Sequence, residues 1–331
     1  MASLKDISQK AGVAVSTVSK ALNGRADISD ETREKVCNIA KELNYKPNVV
    51  AQTLAGKASK LVGIIAPEIQ SNYFVKIVNY LQFFLQKKQY STILNISNFK
   101  FEEECDGLEM FCNRNVDGIF LICSMHHEII NQLRRIKNSY GIPVVLIEAL
   151  DIFPDYDYIM IDDTYGMNTA LKHLKKKGHR KIGFITDSVN KFIRLPMFIK
   201  AMKENELEIK EQYCVDDGER FEQGGYNCMQ KILSGKDRPT ALLTGYDNIA
   251  IGAMRAIYES NLKIPEDFAV IGNDNIRESS YLYQSLTTIS PPVLEMARMG
   301  VDLLIEKIEN KQNHTIHNIK LNPELIIRET T

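Results

Sequence analysis

Residues 12–24 read GVAVSTVSKALNG, and this stretch decides how the N-terminal part of the chain folds. Its apolar residues recur at helical spacing and predict a helix over 15–22 whose buried side chains are Val15, Val18 and Leu22. Asn23-Gly24 ends this helix. The polar residues in between must therefore face outward: Ser16, Thr17, Ser19 and Lys20.

Two further helices flank this stretch. Ser3 caps the first, with Asp6 three residues later as in a capping box, and Gly12 ends it. Ser29 caps the third helix, whose apolar residues predict a buried face made of Val36, Ile39, Ala40 and Leu43. Three short helices in about 45 residues, the first two joined by a tight glycine turn, are typical of a helix-turn-helix unit.

A short helical segment follows, and then the pattern changes. Residues 48–56, NVVAQTLAG, predict a helix that is too short to fold alone in water, and KASK at 57–60 is a linker. From Leu61 onward, apolar runs of strand length alternate with helical stretches. The runs include LVGIIAP (61–67), YSTILNI (90–96), DGIFLIC (117–123), IPVVLIEA (142–149), KIGFIT (181–186), CVDD (214–217), TALLT (240–244) and FAVIGN (268–273).

Near-continuous apolar strands between helices predict parallel sheets that are covered on both faces. Two such series predict an α/β fold with two doubly wound lobes behind an all-α headpiece. Ligands of such folds bind beyond the carboxyl ends of the strands.

Composition narrows the class of protein. The chain has 331 residues and is 44% hydrophobic, enough for the cores of two or three domains. No apolar run approaches the roughly 18 residues of a membrane span, and the first ten residues lack the apolar stretch of a signal peptide. We therefore expect a cytoplasmic protein with no membrane partner. The six cysteines show no Cys-x-x-Cys spacing, so we expect reduced, mostly buried thiols.

Charge is distributed unevenly along the chain. Residues 1–60 contain ten Lys or Arg and six Asp or Glu, a net charge of +4. The remainder contains 31 basic and 36 acidic residues, a net charge of −5. A small basic module beside a larger acidic one favours a polyanion as the partner of the N-terminal part.

Motifs of catalysis and cofactor binding are missing from the sequence. It contains neither a glycine-rich nucleotide loop nor a Gly-x-Ser-x-Gly nucleophile turn. His126-His127 and His314-x-x-His317 lack further ligands at suitable spacing, so surface histidines are the better interpretation. The basic run KHLKKKGHRK at 172–181 could bind nucleic acid, but its place at a predicted helix C-terminus favours a solvated face. We therefore expect no catalytic residue, no metal site and no cofactor.

Carboxylates, arginine and aromatic residues collect where the predicted strands end. Carboxylates and guanidinium groups form paired hydrogen bonds with neighbouring hydroxyls, and aromatic rings cover the apolar side of a sugar. Because these residues fall at the same end of both sheets, they favour a polyol-type pocket. They are Tyr73, Phe74, Glu148, Arg194, Tyr246, Asp247 and Asp274.

The chain resembles the LacI/GalR family of bacterial transcription factors over essentially its whole length. LKDISQKAGVAVSTVSKALNG (4–24) and ISDETREKVCNIAKELNYKPNVVAQTL (28–54) follow the pattern of that family almost residue by residue. The effector half matches in KHLKKKGHRKIGFI (172–185), DNIAIGAMRAIYESNLKIPEDFAVIGNDN (247–275) and SLTTISPP (285–292).

Five positions depart from the pattern. Ala14 replaces a serine cap, Gln52 replaces an arginine of the hinge, and Lys20 stands where arginine is common. Tyr246 stands where a small polar residue is usual, and Asn273 stands where an aromatic residue is usual.

The resemblance implies a DNA-binding headpiece over 1–47, a hinge helix and linker over 48–60, and an effector-binding and dimerisation domain over 61–331. In that domain the N-lobe comprises 61–162 and 292–320, and the C-lobe comprises 163–291 and 321–331. Val15, Ser16 and Lys20 correspond to base-reading positions. Thr17, Ser19 and Asn23 lie near the phosphates, and Leu54 of the hinge is a wedge in the minor groove.

For the lobes, the resemblance implies the fold of periplasmic sugar-binding proteins. The implied pocket positions are Tyr73, Phe74, Glu148, Arg194, Tyr246 and Asp274, with Arg220 or Phe221 at an aromatic position. We therefore expect a homodimeric repressor of double-stranded operator DNA that is controlled by a sugar or sugar derivative. The alternatives are a global regulator controlled by a phosphorylated partner protein and a solute-binding protein, with an enzyme a distant third.

Overall fold

The computed structural model of the chain describes residues 2–25, 27–45, 58–148, 153–216, 218–310 and 312–331. The chain folds as two units, Met1–Ser59 and Lys60–Thr331. The predicted hinge helix over 48–56, with its Leu54, lies outside the described residues.

The first unit contains the three predicted helices: α1 (Leu4–Ala11), α2 (Val15–Leu22) and α3 (Asp30–Glu42). Ser3 and Asp6 form the predicted capping box at the start of α1, because each side chain accepts a hydrogen bond from the backbone N–H of the other. Gly12 ends α1 in the left-handed conformation, with φ of 70°. The Ser29 side chain accepts a hydrogen bond from the Thr32 N–H and caps α3, as predicted.

The core of this unit differs from the prediction in α2, at Val15, Ala21 and Leu22. Val18 is fully buried, as expected, but Val15 is 43% exposed and the buried side chain beside Val18 is Ala21. Val15 is the first residue of α2 and its side chain is not covered by the core, so its burial was predicted wrongly. Val36, Ile39 and Ala40 of α3 complete the core, while Leu22 and Leu43 are only partly buried.

The second unit begins with a parallel sheet in the strand order β2-β1-β3-β4-β5-β11. Its strands are β1 (Leu61–Ala66), β2 (Ser91–Ile96), β3 (Gly118–Ile122), β4 (Val144–Ile147), β5 (Asp157–Ile161) and β11 (Asn318–Leu321). Helices α4 (Asn72–Lys87) and α11 (Val293–Glu309) cover one face, and α5 (Phe101–Asn113) and α6 (Ile129–Arg135) cover the other. We call this layer the first lobe.

The second lobe is built in the same way, in the order β7-β6-β8-β9-β10-β12. Its strands are β6 (Ile182–Ile185), β7 (Cys214–Val215), β8 (Ala241–Thr244), β9 (Ala269–Asn273), β10 (Thr287–Ser290) and β12 (Glu324–Ile326). The neighbouring strands are parallel except for β12, which runs antiparallel to β10. Helices α7 (Asp163–Lys176) and α8 (Lys191–Glu204) cover one face, and α9 (Phe221–Ser234) and α10 (Asp247–Glu259) cover the other.

Helices α9 and α10 pack against each other with backbone in direct contact. A Cβ atom at Gly252 would lie 1.8 Å from the Glu222 carbonyl oxygen, and one at Gly225 would lie 2.0 Å from the Ile249 carbonyl oxygen. No side chain fits at these two positions, so glycine is required for the spacing of this helix pair.

The chain passes between the lobes after β5, after β10 and after β11. The predicted α/β class with two parallel-sheet lobes behind a helical unit is confirmed. Three segments of the chain therefore connect the two lobes. Within the described part of the chain, no helix combines the length and apolar character that crossing a membrane requires.

Candidate functional site

The exposed face of α2 carries the polar side chains that were predicted to face outward. Val18 and Ala21 are buried against α1 and α3, which leaves the opposite side of this helix uncovered within its own unit. The side chains of that uncovered face are exposed at Val15, Ser16, Lys20 and Asn23 and partly exposed at Thr17 and Ser19. An eight-residue helix with such a face fits the major groove of B-DNA.

Lys20 and Asn23 have partners within the unit. The Lys20 Nζ lies 2.6 Å from an Asp27 carboxylate oxygen, and both side chains are about half exposed, at 52% and 56%. The hydrogen bond from Lys20 lowers the pKa of Asp27. Asn23 Nδ2 donates to the Ser19 carbonyl oxygen at 2.6 Å. An exposed ion pair is weak, so phosphate or a base edge can compete for Lys20.

A cavity of about 100 Å³ lies between the lobes, at the carboxyl ends of their strands. Tyr73 and Phe74 reach it from the first turn of α4, after β1, and Glu148 directly follows β4. From the second lobe, Arg194 of α8 follows β6, and Tyr246 and Asp274 follow β8 and β9. Arg220, which precedes α9, also lines the cavity.

Two residues that the sequence analysis placed at this pocket lie elsewhere. Phe221 is not among the described residues that line the cavity; its ring packs on Tyr246, with centroids 5.8 Å apart. Asp247 is fully buried inside the second lobe. It accepts hydrogen bonds from the Ser279 and Thr288 hydroxyls and from the Ile276 N–H, which all belong to the same lobe. Asp247 therefore fixes the loop after β9 and does not face a ligand.

The backbone is strained at the edge of the cavity. Cys123, Glu148 and Asp274 each directly follow a strand, line the cavity and have positive φ values of 53°, 56° and 103°. Left-handed backbone is uncommon for residues with a Cβ atom and concentrates at ligand-binding sites. The strain turns these side chains away from the sheet and toward the space between the lobes.

Arg194 is the centre of a buried charge cluster. One of its terminal nitrogens donates to the Gly245 carbonyl oxygen, and the other lies 3.7 Å from Asp163 and 3.9 Å from Asp274. Glu148 belongs to the same cluster and accepts a hydrogen bond from the Tyr73 hydroxyl at 2.9 Å. Three carboxylates therefore surround one guanidinium group.

Ionisation of these carboxylates is costly. Burial, followed by the charge of Asp163, raises the pKa of Glu148 to about 7. Burial also raises the pKa of Asp274 well above its usual range, although Arg194 opposes this change. A carboxylic acid that titrates near neutral pH in a closed cleft marks a candidate functional site.

Arg220 organises a second cluster that joins the two lobes. Its two terminal nitrogens donate to the Glu68 carboxylate of the first lobe at 2.6 and 2.9 Å, and its Nε donates to Asp187 of the second at 3.2 Å. Asp187 also accepts the Tyr246 hydroxyl at 2.7 Å. Burial opposes ionisation of Asp187, but the hydrogen bonds from Tyr246 and Asn190 and the Arg220 charge lower its pKa.

Aromatic rings form one wall of the cavity. The Phe74 ring lies 5.5 Å from Tyr73 and 6.0 Å from Phe99, measured between centroids. Cys123 faces the same space, but burial raises the pKa of its thiol to about 12, so it is an inert neutral group. A ligand between the lobes thus meets aromatic faces on one side and charged groups on the other.

Sequence reasoning missed four charged or aromatic residues of the site: Glu68, Phe99, Asp163 and Asp187. Glu68 and Asp187 follow β1 and β6 by two residues each, so the rule about strand ends could have found them. Asp163 starts α7, at a crossing between the lobes, where a carboxylate is equally typical of a helix start. Phe99 carries no signal in the sequence that separates it from a core residue.

The basic run at 172–181 has structural partners in the second lobe. Lys175 Nζ donates to the Asn205 carbonyl oxygen at 2.7 Å, and Arg180 donates to the Lys175 carbonyl oxygen at 2.8 Å. These bonds satisfy carbonyl groups at helix C-termini, which is the role favoured for this run.

Comparison with known proteins connects both sites to one family. Residues 3–48 match the family described as bacterial regulatory proteins, lacI family, and residues 171–331 match the periplasmic binding protein-like domain. The first match covers α1 to α3, and the second covers most of the second lobe and the returning C-terminal part.

Full-length relatives agree with these matches. The HTH-type transcriptional repressor PurR of Mannheimia succiniciproducens is 32% identical over 333 residues, which are all of this chain and 98% of that protein. The PurR repressor of Haemophilus influenzae is 34% identical over 338 residues, with the same coverage. A lac repressor dimer bound to operator and the anti-inducer ONPF superposes with a TM-score of 0.88 at 27% identity, over 99% of this chain and 98% of that one.

The chain combines a helix that has an uncovered polar face with two lobes that enclose a cavity. With the family matches, these features identify a DNA-binding transcriptional repressor that is controlled by a small-molecule effector. The chain belongs to the LacI family of bacterial regulatory proteins. Its relatives are transcriptional repressors and not enzymes.

Proposed function

We propose that the protein acts in the cytoplasm as a homodimer that binds a pseudo-palindromic operator, and that a sugar or sugar derivative in the cavity controls this binding. The observation that carries the proposal is the convergence of both lobes on one cavity lined by carboxylate, guanidinium and aromatic groups. Symmetric dimers bind symmetric half-sites, and a related repressor is a dimer on its operator.

The proposed parts are a headpiece over 1–47, a hinge over 48–60 and an effector domain over 61–331. In the headpiece, α2 enters the major groove, where Val15, Ser16 and Lys20 contact bases. Thr17, Ser19 and Asn23 contact the backbone phosphates. Leu54, outside the described residues, is the proposed wedge in the minor groove.

The proposed effector-binding residues are those that line the cavity between the lobes. They are Tyr73, Phe74, Glu148, Arg194, Arg220, Tyr246 and Asp274. Carboxylates and guanidinium groups suit hydroxyl groups on a ring, and the aromatic wall suits its apolar face. Ligand binding that favours one arrangement of the lobes shifts the equilibrium between two DNA affinities.

Selection of operators from a random DNA pool with the full-length protein tests this proposal. We expect enrichment of a two-fold symmetric site. Leu54→Ala should weaken binding to that site far more than it weakens binding to unrelated DNA. Enrichment of a single asymmetric half-site would contradict the dimer, and equal losses on both DNAs would contradict the wedge.

A further inference from the structure

Carboxyl groups outnumber cationic side chains in the cavity between the lobes. Among the described residues that line it, the carboxylates are Glu68, Glu148, Asp163 and Asp274, whereas the cations are only Arg194 and Arg220. Neither lysine nor histidine belongs to this described lining. Charges of one sign in a cleft with low-dielectric walls attract ligands of the other sign.

Both guanidinium groups are already engaged by the protein. The two terminal nitrogens of Arg220 donate hydrogen bonds to Glu68, and its Nε donates one to Asp187, each at 3.2 Å or less. Arg194 donates to the Gly245 carbonyl oxygen and faces Asp163 and Asp274. A phosphate or carboxylate ligand would have to displace these partners, so the cavity is poorly suited to anions.

The carboxylates around Arg194 are less completely satisfied than the guanidinium group. Asp163 and Asp274 lie 3.7 and 3.9 Å from the same Arg194 nitrogen, distances longer than a hydrogen bond. Glu148 accepts the Tyr73 hydroxyl, a neutral donor that brings no positive charge to this carboxyl group. One positive charge thus serves three carboxylates.

The wall next to this cluster also favours a cation. Tyr73, which binds Glu148, packs against Phe74, and Phe74 packs against Phe99. Aromatic faces attract ammonium groups through the ring quadrupole. The described residues contain no group of three or more His, Cys, Asp or Glu arranged to hold a metal ion, so an organic cation suits this place better.

We propose that the effector carries a protonated nitrogen, as an amino sugar does, and that this group lies among Glu148, Asp163 and Asp274 against the aromatic wall. This inference rests on the proposed function, because it names the chemical class of the ligand that the cavity takes. The ammonium group supplies the positive charge that the cluster lacks, and the rest of the ligand covers the rings.

Two sets of probes that differ mainly in charge test the inference. One set is D-glucosamine, D-glucose and D-glucuronate, and the other is benzylamine, benzyl alcohol and benzoate. The thermal midpoint of the full-length protein is measured against the concentration of each probe, up to about 10 mM, at pH 7.5. We expect the amine of at least one set to stabilise the protein, with an affinity about tenfold above that of its neutral counterpart.

Three outcomes would overturn the inference. These are equal or greater stabilisation by a neutral probe, stabilisation by an anion in preference to the amine, and no stabilisation by either amine. Operator binding by the same preparation is measured separately. Retention of specific operator binding beside any of these outcomes leaves the repressor function standing and rejects only the ligand class.

Variants locate the cation within the cavity. Glu148→Gln and Asp163→Asn each remove one negative charge and keep the side-chain shape, so each should reduce the preference for the amine at least fivefold. Glu128→Gln removes a carboxylate from an exposed position at the start of α6 and should leave the preference unchanged. An unchanged preference in both cavity variants, each folded by circular dichroism, would overturn the placement.

Discussion

Glu148 shows how one side chain links the fold to the proposed site. It follows β4 with a positive φ, lies in a buried cluster with Asp163 and Arg194, and accepts hydrogen bonds from the neutral Tyr73 hydroxyl and from the backbone at Ile161. The folded protein therefore favours the protonated acid, whereas the unfolded chain ionises it at the ordinary pKa of 4.5. The contribution of Glu148 to stability is complete below about pH 4.5 and is lost as the pH rises through about 7.

The pH dependence of stability tests this interpretation. Glu148→Gln copies the protonated form at every pH, so its melting temperature should rise relative to that of the wild type between pH 5 and pH 8. Burial lowers the pKa of His173 and of His179. Both histidines are present in the wild type and in the variant, so their effect on stability cancels in the difference between the two proteins. A constant difference between the two proteins over this range would show that Glu148 is ionised throughout.

Lys20 and Asp27 give a second prediction for single residues. Asp27 holds Lys20 in an exposed ion pair at 2.6 Å and adds a negative charge next to the proposed DNA face. Asp27→Asn should raise operator affinity up to about fivefold, because exposed pairs contribute about 0–1 kcal/mol and the lost charge no longer repels phosphate. Fluorescence anisotropy at fixed ionic strength measures this effect.

Glu42→Gln is the matched control. Glu42 pairs with Lys10 at 2.7 Å in the same unit, and that pair is also exposed, but neither residue lies on α2. This variant should change operator affinity by less than about twofold. Equal gains in both variants would mean that only the net charge of the unit changed and that Lys20 has no specific role.

At the scale of elements, α2 begins without a cap. Ala14 has the extended backbone of an N-cap residue, with φ −63° and ψ 150°, but no side chain accepts from the first turn of the helix. Ala14→Ser should stabilise α2 by about 1 kcal/mol and slow hydrogen exchange of its amides in the full-length protein. Ala14→Gly should give a smaller stabilisation, and faster exchange in the serine variant would contradict this explanation.

Within the described part of the chain, the sequence predicts eight of the strands, including the edge strands β2 and β7, but it does not predict β5, β10, β11 and β12. β1 and β3 are sandwiched between helices on both sides, so their apolar runs identify them as strands. β11 and β12 are short strands at the sheet edges, and their burial alternates or is partial. They gave no apolar run, and their strand state depends on pairing with β5 and β10, which are far away in the chain.

The same distinction applies to the candidate site. Glu148, Arg194 and Asp274 could be placed together from sequence because each follows a parallel strand, and those ends meet at one edge. The pairing of Glu68 with Arg220 could not be predicted from sequence. It depends on the distance between the two lobes, and no local sequence pattern specifies that distance. The predicted burial of Val15 was wrong for a related reason. Helical periodicity alone does not show which residues of a helix its neighbours cover.

At the scale of the effector-binding unit, Arg220 and Glu68 connect the lobes directly. Their paired hydrogen bonds join the loop after β1 to the residue before α9, and Glu68 is almost fully buried. Glu68→Gln leaves Arg220 bound to Asp187 and should weaken closure of the unliganded lobes by about 1–2 kcal/mol. Hydrogen exchange should become faster in segments 67–71 and 218–222.

Glu278→Gln provides the control for the Glu68 variant. Glu278 also accepts a hydrogen bond across the lobes, from Asn72, but at 3.4 Å and at an exposed position. Its loss should leave exchange in segments 67–71 and 218–222 unchanged. Equal acceleration in both variants would indicate that any contact between the lobes holds them together and that Arg220 is not special.

Asp274 connects the cavity to control of DNA binding. It directly follows β9, is 7% exposed and faces Arg194, whereas the proposed DNA contacts belong to a different unit of the chain. Asp274→Asn keeps the side-chain shape, and asparagine tolerates the positive φ of 103°. We expect this variant to lose the change in operator affinity that an effector causes, while its affinity without effector stays within about threefold. Titration of labelled operator with and without a stabilising ligand separates the two properties. Loss of operator binding in the absence of effector would instead show that Asp274 maintains the fold on which the headpiece depends.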